Sequence, residues 1–491
     1  MTSYETQESY LFGPRDRGAI LLGLRLNQLL LLTEGVILMM IGFVAGGGSG
    51  GLLGLLALLV CAFLAFFPVQ GRPIIDWGRP VANYVAGRLS GEATYLGGPW
   101  AVHKPVGGAD RIALPGGRDV IVREFRTDAS NVAVIRDGHR WTAVVQVVAP
   151  AFPLADRATQ HARVTSWGSL LAQLGQEGSR LAAIQWLERT IPDSGRGLDD
   201  WWRERGDATS PAAAAYEQLI SDKGPSATRH ESFVVISIDS RRCRRAIRAA
   251  GGGREGAAAV LTQELTWIES GLRRCSVDVV GWLGARDLGR LIRTQYDPAS
   301  TVEIDRRGRE GLERGVAIDG AGPMIAESRF GHSRTDSGYH ATYWVASWPR
   351  MQVQAAWLYP LLVLGGVRRT LSLTAEPVAP SKSFREIRSA KVQKRTDEIN
   401  RQKIGQIESA QDDEENLTLE RRERELVRGH VEYRFNGYVT VTAATEQELD
   451  DACSQVEQAA VRSVLEVRRV YGEQNQAFIA AALPLARGVR S

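Results

Sequence analysis

The feature that most constrains this chain is a pair of apolar runs separated by a stretch that is almost entirely glycine. The runs are Leu29–Ala45 and Leu52–Phe67, and the stretch between them is Gly46–Gly51. Each run is slightly shorter than the roughly 20 residues that cross a bilayer. Because a flexible linker between soluble domains would not be flanked by apolar runs, the pattern predicts a two-helix transmembrane hairpin over residues 29–72, with the glycines as its turn.

Arginines on both outer sides of the predicted hairpin indicate its orientation. They are Arg15, Arg17 and Arg25 before it, and Arg72, Arg79 and Arg88 after it. The glycine turn carries no charge. Since Lys and Arg concentrate on the cytoplasmic side of a membrane, residues 1–28 are expected to be a cytoplasmic segment, and everything after the hairpin is expected in the cytoplasm. The apolar segment is doubled and lacks a small-residue cleavage site, which argues against a signal peptide.

Glu34 is the one acidic residue inside the first apolar run. A carboxylate within a span is costly and usually faces a partner or another polar group. The alternative places Glu34 within a turn or two of the membrane surface, where its side chain reaches headgroups or water. We favour the second interpretation.

Length and composition leave a large soluble part after the hairpin. The chain has 491 residues, 44% hydrophobic and 24% charged, as in ordinary globular proteins. This length allows two to four domains. The net charge of +4 is weak, so we expect no direct sequence-specific binding of nucleic acid. The four cysteines lack the spacing of a metal site, and a cytoplasmic location disfavours disulfides.

The segments after the hairpin alternate between patterns typical of helices and of strands. Residues 73–99 follow helical spacing with interspersed arginines, which predicts an amphipathic connecting helix. Residues 100–225 predict a first α+β unit with an insertion. In this unit, Asp137 and Gly138 indicate a tight β-hairpin.

The remainder predicts two further units and an arm. Residues 226–380 predict a second α+β unit, and residues 429–491 predict a third that closes the body, with a capping box from Thr445 to Glu448. The predicted fold class is therefore α+β, with a transmembrane hairpin followed by cytoplasmic ferredoxin-like split units. Residues 381–428 are highly charged and lack proline, which predicts a long helical arm. This arm is either simply solvated or a docking element for a partner.

Motifs of catalysis and cofactor binding are weak or missing. Gly251–Gly256 satisfies G-x-G-x-x-G, but a basic, helix-like run precedes it, so a loop is the better interpretation. No Gly-Lys pair occurs, so the phosphate-binding loop of a P-loop ATPase is missing. His340 lies on an alternating strand, where we expect a structural role. The adjacent Trp201 and Trp202 indicate a packing or contact knob.

We therefore predict no catalytic, cofactor-binding or metal-binding residues and no cofactor, in a protein that is not an enzyme. A membrane-bound enzyme or regulator of unknown chemistry remains an alternative. A pocket with converging acids, bases or ligands would favour it.

Several segments taken together resemble known secretion proteins. The segments Arg140–Asp193, Tyr339–Lys391, Arg424–Ala452 and Asn475–Gly488 are similar to the amino-terminal, non-ATPase region of the TraC-like conjugation ATPases of type IV secretion systems. The glycine-turn hairpin resembles the small PrgI-like membrane subunit of Gram-positive conjugation systems. The combination resembles an actinobacterial family encoded near conjugation ATPases. The EccE-like membrane subunits of type VII secretion, with two spans and a cytoplasmic domain, are the nearest rival.

This resemblance implies a non-catalytic scaffold in the bacterial inner membrane, with two spans and both termini cytoplasmic. The scaffold would anchor and position a separate TraC-like ATPase of a type IV-like secretion or conjugation apparatus. Its other partners would be the lipid bilayer and further membrane subunits, in an oligomeric assembly. An anchored docking domain raises the local concentration of a motor at its channel. The alternative is an EccE-like type VII secretion subunit.

Overall fold

The computed structural model describes residues 24, 26–70, 72–97, 110–127, 131–149, 152–192, 196–223, 228–349, 351–404 and 410–488. Most of the predicted cytoplasmic segment 1–28, with Arg15, Arg17 and Arg25, lies outside these residues. The described residues combine α-helices with antiparallel β-strands, which confirms the predicted α+β class.

The amino-terminal apolar region forms helix α1 (Leu26–Phe66), which a sharp break divides into two helical halves. Gly47 interrupts it with φ +54° and ψ −132°, a conformation that glycine tolerates at little cost. The two sides of this break contact each other, because Gln28 Nε2 donates to Ala65 O at 2.9 Å across 37 positions. Among the described helices, α1 alone is long and apolar enough to cross a membrane. The two-helix transmembrane hairpin is thus not confirmed.

Small residues allow the two halves of α1 to approach closely. A Cβ added at Gly54 would lie 2.6 Å from Met39 Cα, and one added at Gly42 would collide with the carbonyl group of Gly50. Most of the large apolar side chains of α1 are exposed instead of buried between its halves. This arrangement is typical of helices that pack in lipid, where small residues form the contact.

A short connector joins α1 to the body. Strands β1 (Pro68–Val69) and β2 (Arg72–Pro73) form a two-stranded ribbon. A 3-10 turn (Ile74–Trp77) then leads into helix α2 (Gly78–Leu89), which lies within the predicted connecting helix at residues 73–99.

The described body contains one antiparallel sheet of fourteen strands. They are β3 (Thr94–Leu96), β4 (Arg111–Ile112), β5 (Val120–Arg126), β6 (Asn131–Asp137), β7 (Arg140–Val148), β8 (Leu181–Pro192), β9 (Thr228–Asp239), β10 (Asp278–Trp282), β11 (Ile325–Ser328), β12 (Ser333–Thr335), β13 (Gly338–Ser347), β14 (Arg368–Pro377), β15 (Tyr433–Ala443) and β16 (Glu466–Arg469). The order is β3-β11-β12-β13-β15-β14-β8-β9-β7-β6-β5-β4, with β10 also on β7 and β16 on β13.

Helices connect these strands and cover the sheet. They are α3 (Arg157–Leu174), α4 (Arg196–Arg205), α5 (Ala213–Lys223), α6 (Ser240–Ala249), α7 (Gly253–Arg274), α8 (Ala285–Tyr296), α9 (Ser300–Arg309), α10 (Tyr359–Leu362), α11 (Pro380–Ile404), α12 (Ala410–Val427), α13 (Glu446–Arg462) and α14 (Gln474–Ala482). The predicted capping box is present at the start of α13. Thr445 Oγ1 accepts from Glu448 N, and the Glu448 carboxylate accepts from Ala444 N, each at 3.2 Å.

Two parts of the sheet share one topology. Unit one runs β7-α3-β8-β9-α7-β10 over residues 140–282, with α6 as an additional helix between β9 and α7. Unit two runs β13-α10-β14-β15-α13-β16 over residues 338–469. In each unit the fourth strand pairs with the first, the first with the third, and the third with the second. The two second strands, β8 and β14, pair with each other and form the seam between the units.

Both units also carry an insertion at the same place, between their second and third strands. In unit one the insertion holds α4 and α5, and in unit two it holds α11 and α12. The ferredoxin-like units predicted from the sequence are not confirmed in the form expected. β8 and β9 lie on opposite sides of the predicted boundary at 225/226, yet they pair over most of their length. The predicted domain boundaries themselves stay predictions.

Both faces of unit one are buried, which explains its nearly continuous apolar strands. On one face, Val145 and Ile236 pack with Leu265 and other residues of α7. On the other, Val144 packs with α8, α14 and the segment that follows α14, including Leu483. Successive strand residues point to opposite faces, so a strand with a core on each side must be apolar throughout.

Candidate functional site

The glycine-rich motif at Gly251–Gly256 lies between two helices. Gly251, Gly252 and Gly253 have φ values of +97°, +73° and +58°, and they connect α6 to α7. A dinucleotide-binding turn follows a strand. The geometry therefore does not fit that use.

His340 is fully buried in β13 and has a structural setting. Its Nε2 lies 2.7 Å from Thr335 Oγ1, and its Nδ1 lies 2.9 Å from Thr442 Oγ1. Burial, with a smaller contribution from Arg368, lowers the pKa of His340 to about 3, so the ring is neutral at physiological pH. Both ring nitrogens are engaged and the ring is closed to solvent, so it offers no open position for a ligand.

The two adjacent tryptophans in the insertion of unit one, Trp201 and Trp202, have different surroundings. Trp202 Nε1 donates to Glu217 Oε1 at 3.0 Å, and its ring lies 4.8 Å from that of Tyr216. Trp202 therefore holds α4 against α5. Trp201 is 46% exposed, so it is the member of the pair that can contact another molecule.

An aromatic cluster joins the membrane connector to the body. Trp77 lies 5.5 Å from Tyr471 and 6.2 Å from Phe330, and Tyr84 meets Phe330 edge-on at 5.4 Å. Aromatic pairs at such distances each add about 0.5–1.5 kcal/mol beyond their buried area. We call these four residues the junction. Trp77 belongs to the 3-10 turn between α1 and α2, so the junction connects the apolar helix to the two segments that flank unit two, at Phe330 and at Tyr471.

Polar and backbone contacts extend the junction. Asn83 Nδ2 donates to Glu473 Oε1 at 3.0 Å, and a Cβ added at Gly472 would lie 2.8 Å from Pro80 O. Strand β3 follows α2 and pairs with β11, and so adds a strand to the edge of the large sheet. The residues that follow α1 are therefore packed and hydrogen-bonded against the body.

A buried ionic cluster lies where β8 and β9 meet α8 and α9. Arg189 is fully buried and donates through Nε and Nη2 to Glu231 Oε2, at 2.9 and 2.6 Å. Its Nη1 donates to Thr294 Oγ1 at 2.8 Å. Arg290 donates to Asp305 Oδ1 at 2.8 Å and is 3.3 Å from Glu231 Oε1.

Electrostatics keep this cluster ionised. Burial alone would raise the pKa of Glu231, but Arg189 and Arg290 outweigh it and lower the pKa to about 2. Arg229, which is partly exposed, also donates to Glu231 Oε1, at 2.9 Å. Both oxygens of Glu231 thus accept from guanidinium groups. A carboxylate held in this way is a poor general base, so the cluster serves to fix α8 and α9 against the sheet.

The segment after α14 closes the seam between the units. Gln185 on β8 bonds both ways to this segment: Nε2 donates to Leu483 O at 3.1 Å, and Oε1 accepts from Ala486 N at 2.8 Å. Arg140 Nη1 donates to Ala486 O at 3.0 Å. Gln295 on α8 donates to Ala482 O at 2.8 Å. Polar side chains therefore supply hydrogen-bond partners to backbone groups of this apolar segment, including both the N–H and the carbonyl of Ala486.

The predicted charged arm consists of α11 and α12. Lys391 Nζ lies 2.5 Å from Glu423 Oε2, which joins the two helices, and Arg422 pairs with Glu432 at 2.7 Å. Arg385 and Arg388 are exposed on α11. The arm therefore presents cations outward while part of its charge is internally neutralised.

The sequence did not reveal the junction, the ionic cluster or the role of the carboxyl-terminal segment. One signal for the cluster was available, because Glu188, Arg189 and Glu231 are charged residues within apolar strands. Among the described residues, no group of three or more His, Cys, Asp and Glu side chains could hold a metal ion.

Comparison with known proteins adds one family. The family model described as "Putative type VII ESX secretion system translocon, EccE" matches residues 226–345, roughly a quarter of the chain. No curated protein matches the chain. The matched segment runs from β9 into β13 and includes Glu231 of the ionic cluster and Phe330 of the junction. The match supports a secretion-system membrane subunit. It favours the EccE-like alternative, and it does not support the PrgI-like and TraC-like fusion, a conjugation system or a TraC-like ATPase partner.

Proposed function

We propose that this protein is a non-catalytic membrane subunit of a type VII-like secretion machine. The match of residues 226–345 to the EccE family model carries the proposal. The apolar helix α1, coupled through the junction to the body, supports it because a scaffold must transmit position from the membrane to its partners. Its partners would be other membrane subunits of the machine.

The two halves of α1 would form two spans joined by the turn around Gly47. The contact between Gln28 and Ala65, near the two ends of α1, supports this arrangement. Glu34 is exposed on α1, roughly two turns from its start at Leu26, which fits a position near the cytoplasmic surface. Both termini would then be cytoplasmic, in the inner membrane of a bacterium.

Cysteine labelling in intact cells tests this topology. Single cysteines replace Ser3, Ser49 or Ser491 in a background without native cysteines, and a membrane-impermeant reagent is added from outside. Only Ser49→Cys should react. Labelling at position 3 or 491 would show that the orientation is wrong.

The outward cations of the arm would contact a partner subunit, such as the machine's ATPase. Exposed charges steer association but contribute little to stability when simply solvated. The variant Arg385→Glu with Arg388→Glu reverses two exposed charges and leaves Lys391 and Glu423 paired. It should reduce partner recovery at low salt. The swap Lys391→Glu with Glu423→Lys is the matched control, because it keeps the arm's net charge and its internal ion pair.

Affinity purification of the tagged protein from its native membranes tests the proposed function. Type VII membrane subunits should be recovered with it. Recovery of a TraC-like ATPase and conjugation subunits would support the type IV interpretation instead. Recovery of neither group from crosslinked membranes would argue against a secretion role.

A further inference from the structure

We propose that a cavity on unit one binds a phosphate-bearing ligand. The cavity has a volume of about 300 Å³ and lies between β5, β6 and β7 on one side and the start of α7 on the other. Arg123, Arg136 and Arg254 line it, together with Phe125, Trp141 and Gly253. This inference does not depend on the proposed secretion function.

The sheet brings two of these arginines to one face. Arg123 and Phe125 lie two residues apart on β5. Cross-strand pairing sets Arg123 opposite Val134 and Arg136 opposite Trp141. Side chains two residues apart on a strand share a face, and directly paired residues do too. Arg254 reaches the same space from α7, where its guanidinium lies 5.9 Å from the Phe125 ring and donates to Glu124 O at 3.1 Å.

Positive charge in the cavity is not neutralised by the described surroundings. Within the part of the chain that the structure describes, Arg123 and Arg136 form no ion pair with a carboxylate. The nearby Glu124 instead accepts from the backbone N–H of Ala285 at 3.1 Å. Three guanidinium groups around one opening therefore lack the anion that such a cluster favours.

The neighbouring helices add to this positive potential. α7 begins beside the cavity, and its N-cap residue, Gly252, has no side chain to bond the first N–H groups. The preceding helix α6 carries further exposed arginines: Arg241, Arg244, Arg245 and Arg248. Their positive charge would attract an anion and increase its rate of association.

The chemistry of the lining selects a phosphate group. Guanidinium groups bind phosphate oxygens through two parallel hydrogen bonds, a geometry that a single-oxygen acceptor such as chloride cannot use. Phe125 and Trp141 can cover an apolar or planar part of the same ligand, as aromatic residues do in small-molecule sites. The phosphate could belong to a soluble compound or to a lipid headgroup.

Titration calorimetry with inorganic pyrophosphate tests the proposal. The full-length protein, purified in an uncharged detergent at low salt, should bind pyrophosphate at one saturable site. Arg123→Gln with Arg136→Gln should weaken binding at least tenfold. Arg123→Lys with Arg136→Lys should retain part of the affinity because it keeps the charge and loses the two-pronged geometry. Arg421→Gln with Arg462→Gln removes two exposed arginines elsewhere and should leave binding unchanged.

A second comparison distinguishes the two sources of phosphate. The protein is reconstituted in nanodiscs of phosphatidylcholine alone or with added phosphatidylglycerol. If pyrophosphate binds more weakly in the discs that contain phosphatidylglycerol than in the discs of phosphatidylcholine, the site is assigned to a lipid headgroup. Equal binding in the two kinds of disc would assign it to a soluble compound. The proposal is overturned if pyrophosphate shows no saturable binding, or if the glutamine pair binds as well as the unmodified protein while melting at the same temperature.

Discussion

Replacement of Glu231 by Gln should destabilise the body strongly. The substitution keeps the size of the side chain but removes the anion that neutralises Arg189, which is fully buried. Arg290 would also lose one of its two carboxylate partners. An uncompensated buried charge is costly, and breaking a buried pair on one side typically costs about 3–5 kcal/mol.

The lowered pKa of Glu231 gives a second, independent value for the free energy of unfolding that would be lost. A pKa lowered from 4.5 to about 2 corresponds to about 3 kcal/mol of stability at neutral pH. Glu231 is almost entirely buried, so solvent screening reduces this value little. For a cooperative unit of roughly 350 residues, about 3 kcal/mol lowers the melting temperature by roughly 4 °C.

The sign of the pH dependence follows from the lowered pKa. The contribution of an acid with a lowered pKa is complete above about pH 4.5 and disappears as the pH falls through about 2. The difference in melting temperature between the unmodified protein and Glu231→Gln should therefore be full at pH 7 and shrink steadily below pH 4.5.

Differential scanning fluorimetry of the full-length protein at several pH values measures this difference. Glu303→Gln is the matched control, because Glu303 pairs with Arg306 at an exposed site. It should leave the melting temperature unchanged. If Glu231→Gln melts within 1 °C of the unmodified protein at pH 7, or if the difference does not depend on pH, the ionic cluster does not stabilise the body in the way proposed.

Three further substitutions test other parts of the structure. Trp77→Ala should release α2 from the body and raise the rate of proteolysis within residues 78–97, whereas Trp201→Ala should not. Equal proteolysis rates for the two variants would show that the junction does not hold α2 against the body. Gly54→Leu should separate the halves of α1 and reduce disulfide formation between Gln28→Cys and Ala65→Cys, whereas Gly46→Leu, with open space around it, should not; unchanged crosslinking by Gly54→Leu would contradict the close approach. Gln185→Leu should leave the Ala486 N–H unpaired at a cost of about 2 kcal/mol and speed hydrogen exchange over residues 474–488, while Leu483 O keeps its bond from Leu485 N; unchanged exchange would show that Gln185 does not hold this segment at the seam.

Local features of the fold were predictable from the sequence because they depend on neighbouring residues. The tight turn indicated by Asp137 and Gly138 is present between β6 and β7, but its two residues are Gly138, at φ +58°, and His139, because Asp137 ends β6 and pairs with Arg140. The capping box at Thr445 was predictable for the same reason, because its bonds join residues within four positions of each other. The apolar helix is evident from composition, although a single break at Gly47 replaces the wide glycine turn that was expected.

The arrangement of the body was not predictable because it depends on distant pairing. β8 and β9 pair across an insertion, and β8 pairs with β14 although the two are far apart in the chain. Periodicity identifies strands and their faces but gives no information on which edges meet. The candidate sites were not predictable for the same reason. Arg189, Glu231 and Arg290 come together only after three separate elements have packed.

Secretion itself is the most direct measurement of the central claim. The gene is deleted in a bacterium that carries it, and the deletion strain is complemented with the unmodified gene, with a version lacking residues 26–66, or with Glu303→Gln as a folded control. If the protein is a type VII secretion subunit anchored by α1, type VII substrates should disappear from the medium after the deletion. The unmodified gene and Glu303→Gln should restore them, and the version without α1 should not. Normal secretion of these substrates by the deletion strain would contradict a role in type VII secretion.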